Sequence, residues 1–236
     1  MSSWGNYWQE NPKLFTTVME KSTEYVASKL IHNQLIGANS QVLDFGCGPG
    51  YLANALKGSI ASYFGIDISQ HYIETAKEKC KDYPNFHFKA FPLDQSIYSL
   101  SILEQEGNQF DTIVILSVVQ YFEKKEDVLQ LLEKCKLLLK PRGKIILADV
   151  ITNEQGLLKD IISILAHSIK NKYFFQFLKF MFVAKQSKYN QLRKNKKLLT
   201  LSKSEILSYA NQLQLELDVL PTITMQSSRV SYCLVS

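Results

Sequence analysis

Two carboxylates and three closely spaced glycines are the residues of this chain whose types and spacing could do chemistry. The apolar run Val42-Leu43-Asp44-Phe45 enters Gly46-Cys47-Gly48-Pro49-Gly50, and a helical pattern opens at Tyr51-Leu52-Ala53. That order predicts a strand, a tight turn and a helix start, with free backbone N–H groups at the carboxyl end of the strand. Glycine takes φ > 0 readily and lets a ligand approach without a Cβ in the way. Ligands of open α/β sheets bind at that end of the strands. Asp44 adds a carboxylate there, which suits a ligand bearing positive charge, such as an amino-acid ammonium. Ser62-Tyr63-Phe64-Gly65-Ile66-Asp67-Ile68 predicts a second strand, its acid 21 positions after Gly46. An acid so placed can accept hydrogen bonds from ribose hydroxyls.

Two familiar glycine-rich phosphate sites do not fit. A P-loop needs Lys-Ser/Thr after its last glycine, and Tyr51-Leu52 stands there. A dinucleotide fingerprint needs G-x-G-x-x-G, whereas this turn is G-x-G-x-G with Pro49 before the last glycine. Proline lacks the N–H that a pyrophosphate cradle would use.

The extended motif Asp44-Phe45-Gly46-Cys47-Gly48-Pro49-Gly50 resembles the first motif of class I S-adenosylmethionine-dependent methyltransferases. The resemblance runs in order over roughly residues 40–150. It implies that Asp67 holds the ribose and that Ile68 lies against the adenine. It places Ala90 and Phe91 near the adenine too, although Ala90-Phe91-Pro92-Leu93-Asp94 fits the family's acid-alanine pair imperfectly. The buried-strand pattern Phe110-Asp111-Thr112-Ile113-Val114-Ile115-Leu116 resembles the fourth motif, with Leu116, Ser117, Val118 and Val119 at the cofactor edge and Tyr121 following. A helix over 128–138 and the Pro141-Arg142-Gly143 turn before Lys144-Ile145-Ile146-Leu147-Ala148-Asp149 complete the match. The implied cofactor-binding set is Asp44, Phe45, Gly46, Cys47, Gly48, Gly50, Asp67, Ile68, Ala90, Phe91, Leu116, Ser117 and Tyr121. The implied cofactor is S-adenosylmethionine, with S-adenosylhomocysteine as product.

The implied fold is α/β: a Rossmann-like seven-stranded methyltransferase sheet, last strand antiparallel, with helices on both faces and a helical cap between strands five and six. The chain has 236 residues and 46% apolar content, enough for one core. It divides into an N-terminal helical lid (1–38), a cofactor-binding core (39–150), a cap (151–204) and a C-terminal helix with two strands (205–236), the strands over 214–220 and 230–235. Trp4, Tyr7 and Trp8 are either a lid over the ligand or a hydrophobic anchor, and Leu14, Val18, Tyr25, Val26, Leu30 and Ile31 predict an amphipathic helix behind them. Cys47, Cys80, Cys135 and Cys233 are widely spaced, which speaks for a reducing compartment and against zinc or a disulfide framework, so no metal is expected. With no basic-apolar leader at the first residues, a cytoplasmic location is expected.

The cap carries the signal about partners. From Ile161 to Ser204 stand ten basic residues and no Asp or Glu, so this stretch is +10 while the whole chain is +5. Its aromatic run, Tyr173-Phe174-Phe175-Gln176-Phe177-Leu178-Lys179-Phe180-Met181-Phe182-Val183, is too short for a membrane span. Three readings fit: a wall for a small-molecule pocket with solvated lysines, a surface for an acidic membrane, carrier protein or phosphorylated substrate, and a nucleic-acid face. The first is preferred, because no RNA-binding module accompanies the lysines and arginine is scarce among them.

A sulfonium methyl is already activated, so transfer needs positioning and a dry site above all. A hydroxyl acceptor gains from a base. His167 in the cap and Tyr121 are the weak catalytic candidates, while His32, His71 and His87 sit less suitably. No N-P-P-Y-like tetrapeptide follows strand four, which speaks against amino methylation of DNA bases or glutamine. The resulting expectation is O- or N-methylation of a small molecule, apolar or with an anionic handle. The alternatives are RNA methylation through the basic cap and a non-catalytic cofactor-binding or membrane-associated protein.

Overall fold

Apolar residues alternate along the strands, and this alternation decides which helix packs on which face of the sheet. The computed structural model describes Tyr7 and residues 16–91, 97–152, 156–186 and 197–236. Its strands are β1 (Gln41–Phe45), β2 (Ser62–Asp67), β3 (Phe86–Ala90), β4 (Phe110–Leu116), β5 (Leu139–Val150), β6 (Glu216–Leu220) and β7 (Val230–Val235). They form one seven-stranded sheet in the order β3-β2-β1-β4-β5-β7-β6. The first five run parallel, and β7 lies antiparallel between β5 and β6. This is the expected Rossmann-like methyltransferase sheet. The strand order reverses at β1 and β4, so the crevice beyond their carboxyl ends is the natural ligand site.

The helices are α1 (Thr16–His32), α2 (Tyr51–Ala55), α3 (Gln70–Lys79), α4 (Tyr98–Gln105), α5 (Lys125–Leu137), α6 (Leu157–Lys170), α7 (Phe174–Gln186) and α8 (Lys203–Gln212). Leu43, Phe45, Ile113, Ile115, Ile145 and Leu147 share one core with Leu100 of α4, Leu131 of α5 and Ile206 of α8. Val42, Val114, Ile146 and Ala148 share the other with Leu30 of α1, Leu52 of α2 and Ile73 of α3. Each such leucine or isoleucine contributes about 1.5–3 kcal/mol by leaving water. Truncating Leu131, fully buried between α5 and the sheet, to alanine would remove about 2–5 kcal/mol.

Several boundaries differ from the sequence reading for local reasons. Helix α4 was not foreseen. Its stretch Tyr98-Ser99-Leu100-Ser101-Ile102 is a poor intrinsic helix, and burial of Leu100 and Leu103 holds it. Helix α3, which the sequence pattern predicts over 70–81, stops at Lys79 with Cys80 as its cap, and Ile31 at the end of α1 is exposed rather than packed. The Pro141-Arg142-Gly143 turn is an irregularity within β5, where the register against β4 shifts and Arg142 takes φ +61°. Helices α6 and α7 form a hairpin between β5 and β6, and α7 also packs on α1. Ser202 and Glu205 close a reciprocal capping box that starts α8 sharply after the cap. Trp4, Trp8, Asp94, Lys188, Arg193, Lys194 and Lys196 lie outside the described residues.

Candidate active site

The glycine turn joins β1 to α2 and is anchored on the neighbouring strand. The Gly46 and Cys47 N–H groups both donate to the Ile66 carbonyl, at 2.8 and 3.0 Å. Gly46, Gly48 and Gly50 all have positive φ, at 82°, 53° and 76°. Two of them are also needed for packing. A Cβ on Gly46 would lie 2.5 Å from Val118 Cγ2, and one on Gly50 would lie 2.8 Å from Ala76 Cβ in α3. Gly48 differs, because a Cβ there would meet nothing within 4 Å. The space beside it is an open cradle.

The two acids expected to act converge on this turn by different routes. Asp44 is buried in β1 and accepts a hydrogen bond from the Tyr63 hydroxyl at Oδ2. Its Oδ1 is buried with no hydrogen-bond partner. Burial pushes the Asp44 carboxyl up to about 7, with the Tyr63 hydrogen bond opposing and nearby Asp67 adding to the rise. Asp67 ends β2 and is half-buried. Its Oδ2 accepts from the Gly48 N–H at 2.9 Å and its Oδ1 from the Ser69 N–H at 2.8 Å. Burial raises its pKa, and these N–H bonds work against the rise. Each carboxylate oxygen keeps a lone pair for a further donor.

The adjoining strand ends bring most of the remaining expected residues to the same edge. Ala90 pairs with Asp67 in register, the Phe91 N–H donates to the Asp67 carbonyl at 3.0 Å, and Ile68 is half-buried beside them. Leu116 ends β4, Ser117 follows it at φ +58°, and Tyr121 lies half-buried in the short 3₁₀ turn beyond. Phe45 and Cys47 face inward instead: Phe45 belongs to one core and the Cys47 thiol to the other. Burial, then the charges of Asp67 and Asp44, push the Cys47 thiol far up, so it is no nucleophile. Tyr51 and Tyr72 border the turn from α2 and α3. After burial, the Tyr72 hydroxyl is pushed up by Asp67, Tyr7 and Tyr51.

His167 is placed elsewhere. Its Nδ1 lies 2.7 Å from the Tyr173 hydroxyl and its ring packs edge-on against Tyr25 of α1. Burial and the nearby Lys170 lower its pKa. Its described partners all belong to α1 and the cap.

A third acid at the strand ends escaped the sequence reading. Asp149, next to last in β5, is buried at φ +62° and accepts from the Ser117 hydroxyl at 2.6 Å. Arg229, just before β7, lies 3.8 Å from Asp149 and 3.5 Å from Asp160 of α6. Asp160 in turn accepts from the Ser228 N–H and hydroxyl at 2.8 and 2.7 Å. Burial raises the Asp149 pKa, with Arg229 and Ser117 lowering it. The signal was available: an acid closing an apolar parallel strand, as Asp44 and Asp67 do. The arginine, 80 residues away in sequence, gave none.

Residues 43–145 match the family model of a methyltransferase domain. The ubiquinone biosynthesis O-methyltransferase of Coxiella burnetii is 27% identical over 137 residues, 58% of this chain and 55% of that protein. The chain thus spans about half the length of the curated relatives it matches. Among solved structures, a protein of Methanococcus maripaludis assigned by inference as an S-adenosyl-L-methionine-dependent methyltransferase superposes with a TM-score of 0.59 at 17% identity, over 98% of this chain and 92% of that one. Magnesium protoporphyrin IX methyltransferase of Synechocystis, solved with bound S-adenosylmethionine, gives 0.58 at 14% identity, over 98% and 93%. At these identities the structural likeness concerns the fold.

Proposed function

We propose that the chain is a class I S-adenosylmethionine-dependent methyltransferase that transfers a methyl group from S-adenosylmethionine to the oxygen or nitrogen of a small molecule, a reading supported by the methyltransferase-domain match over residues 43–145. The observation that carries this reading is the pair of acids at the ends of β1 and β2: Asp67, bonded to the Gly48 N–H beside the open cradle, and Asp44, whose Oδ1 is buried without a hydrogen-bond partner. The residues suit the cofactor. An orphaned, buried carboxylate oxygen on Asp44 answers a ligand ammonium, and spare lone pairs on Asp67 answer two ribose hydroxyls. The half-buried Ile68 and Ala90, with Phe91, offer an apolar slot for a flat base.

When bound, the cofactor supplies an electrophilic sulfonium methyl group, and the chain supplies position and dryness. Asp44 fixes the amino-acid end, Asp67 the ribose, and the Gly48 backbone allows close approach. We assign the acceptor to the ends of β4 and β5, bounded by Ser117, Tyr121 and Asp149. Asp149 there holds a buried oxygen, Oδ1, that makes no hydrogen bond, lies 3.8 Å from Arg229 Nε and can accept a hydrogen bond from an acceptor hydroxyl. His167, occupied with Tyr173, is not assigned as a base. An acceptor with an acidic hydroxyl or a free amine needs little help from one.

Tyr7, with the segment before α1, is assigned as the lid, and the cap as the wall of an acceptor pocket that admits an apolar or anionic molecule. All four cysteines are free and buried, in keeping with a reducing compartment such as the cytoplasm. Among the described residues no helix is long and apolar enough to cross a membrane.

Calorimetric titration with S-adenosylhomocysteine, beside NAD as control, tests the reading. Micromolar binding of the first alone is expected. A folded protein that binds neither, or binds NAD, overturns it.

A further inference from the structure

The cap hairpin has two faces, and packing against α1 and the segment before β7 accounts for one of them. Tyr173 and Phe177 are buried, and α7 packs on α1. On the outside, Ile162, Ala166 and Ile169 line up along α6 at intervals of four and three residues. Phe175, Leu178 and Phe182 do the same along α7 at three and four. Such spacing places each trio on one side of its helix. These large side chains face water: Phe175 is 81% exposed, Phe182 66%, Ile162 64% and Ile169 61%. Single exposed apolar residues are ordinary, whereas two parallel apolar stripes on adjoining helices mark a surface that meets something.

The charges around the stripes say what. Lys159, Lys170, Lys172 and Lys179 are exposed on the same hairpin. The sequence from 161 to 204 contains no acid at all. A two-fold contact between copies would set this face against itself, lysine towards lysine. A nucleic acid would answer the lysines and could stack on Phe175 and Phe182, but Ile162, Ile169 and Leu178 fill the rest of the face with aliphatic groups that neither bases nor phosphates would cover. The fitting occupant is negatively charged outside and fluid and apolar within.

We propose that the α6–α7 hairpin is a docking surface for an anionic phospholipid bilayer. It lies in the headgroup layer, with its phenylalanines and isoleucines dipping into the acyl boundary and its lysines among the phosphates. Helices of 14 and 13 residues are about 20 Å long, short of the roughly 30 Å hydrocarbon core, so they rest on the membrane without crossing it. The proposal is independent of the methyl-transfer reading, because it concerns the outer face of the cap and no ligand of the glycine turn.

The test is co-sedimentation of the full chain with vesicles of phosphatidylcholine alone or mixed with phosphatidylglycerol, without cofactor. Binding to the anionic vesicles at least about tenfold tighter than to neutral ones is expected, weakening as salt rises. The double variant Phe175→Ser/Phe182→Ser should lose about tenfold in vesicle affinity and keep the wild-type circular dichroism and S-adenosylhomocysteine affinity. Lys172→Glu/Lys179→Glu should weaken anionic-vesicle binding alone. Absence of vesicle binding, equal binding to neutral vesicles, or variants that bind like wild type overturn the proposal. So does a wild-type dimer in sedimentation that Phe175→Ser dissociates, or binding of an RNA oligonucleotide in place of vesicles.

Discussion

The Tyr63 hydroxyl of β2 donates to Asp44 Oδ2 of β1, and the other Asp44 oxygen is left without a hydrogen-bond partner. A single phenol thus tunes a buried carboxyl whose pKa stands at about 7. Removing the donor in Tyr63→Phe should raise that pKa further, because a stabilising hydrogen bond to the ionised form is lost. At neutral pH we expect S-adenosylhomocysteine affinity to fall by roughly 1–2 kcal/mol. Calorimetry on a variant with an unchanged melting curve checks this, and unaltered affinity would remove Asp44 from the ammonium site.

Asp44 also makes binding and stability respond to pH in opposite directions. A cationic ligand favours the ionised carboxylate, so affinity should rise with pH through about 7 as a proton is released. Titrations in buffers of different ionisation enthalpy read that proton directly. The folded pKa lies above the unfolded value, so the stabilising contribution is complete below about 4 and is lost as pH rises towards about 7. Asp44→Asn should therefore flatten the stability profile between those limits. At pH 8 it should gain roughly 1–3 kcal/mol of stability while binding the cofactor more weakly.

Asp67→Ala should weaken S-adenosylhomocysteine binding by about 1.5–3 kcal/mol, the worth of charge-assisted hydrogen bonds to ribose. It also frees the Gly48 and Ser69 N–H groups, so the turn itself should loosen. Hydrogen exchange at those two amides distinguishes the loosening from the lost ligand contact. Wild-type affinity in a folded variant would refute the ribose assignment.

The glycines should separate a folding role from a binding role. In Gly50→Ala the new Cβ would lie 2.8 Å from Ala76 Cβ and 3.0 Å from its Cα, at a left-handed φ. A loss of about 2–4 kcal/mol of stability is expected. Gly48→Ala meets open space and should lose only about 1 kcal/mol. It should nevertheless bind cofactor at least about tenfold more weakly, because the methyl group fills the cradle. Thermal melts and calorimetry on the pair check both halves.

Arg229→Ala leaves Asp149 and Asp160 buried without their shared cation. A loss of about 3–5 kcal/mol is expected. Burial raises the Asp149 pKa, so the variant should recover stability on acidification, as protonation removes the uncompensated charge. Adding Asp149→Asn should restore part of the loss at neutral pH. Urea melts at pH 5 and pH 8 would expose the opposite trend.

What the sequence determined by itself is local. Short apolar runs at residues 42–45 and 113–116, together with three closely spaced glycines, specify strand, turn and helix start without reference to distant residues. That is why the sheet and the positions of Asp44 and Asp67 were legible. Tertiary structure decided what each acid meets. Tyr63 reaches Asp44 only because β2 pairs beside β1, and Arg229 reaches Asp149 only because β7 inserts antiparallel beside β5. It also turned His167 towards Tyr173 and Tyr25, and it gave α4 a helical form its residues do not favour alone. Spacing along a chain encodes backbone conformation within a few residues. Burial and charge pairing arise between segments that sequence separation does not connect, and they set the pKa values on which the chemistry rests.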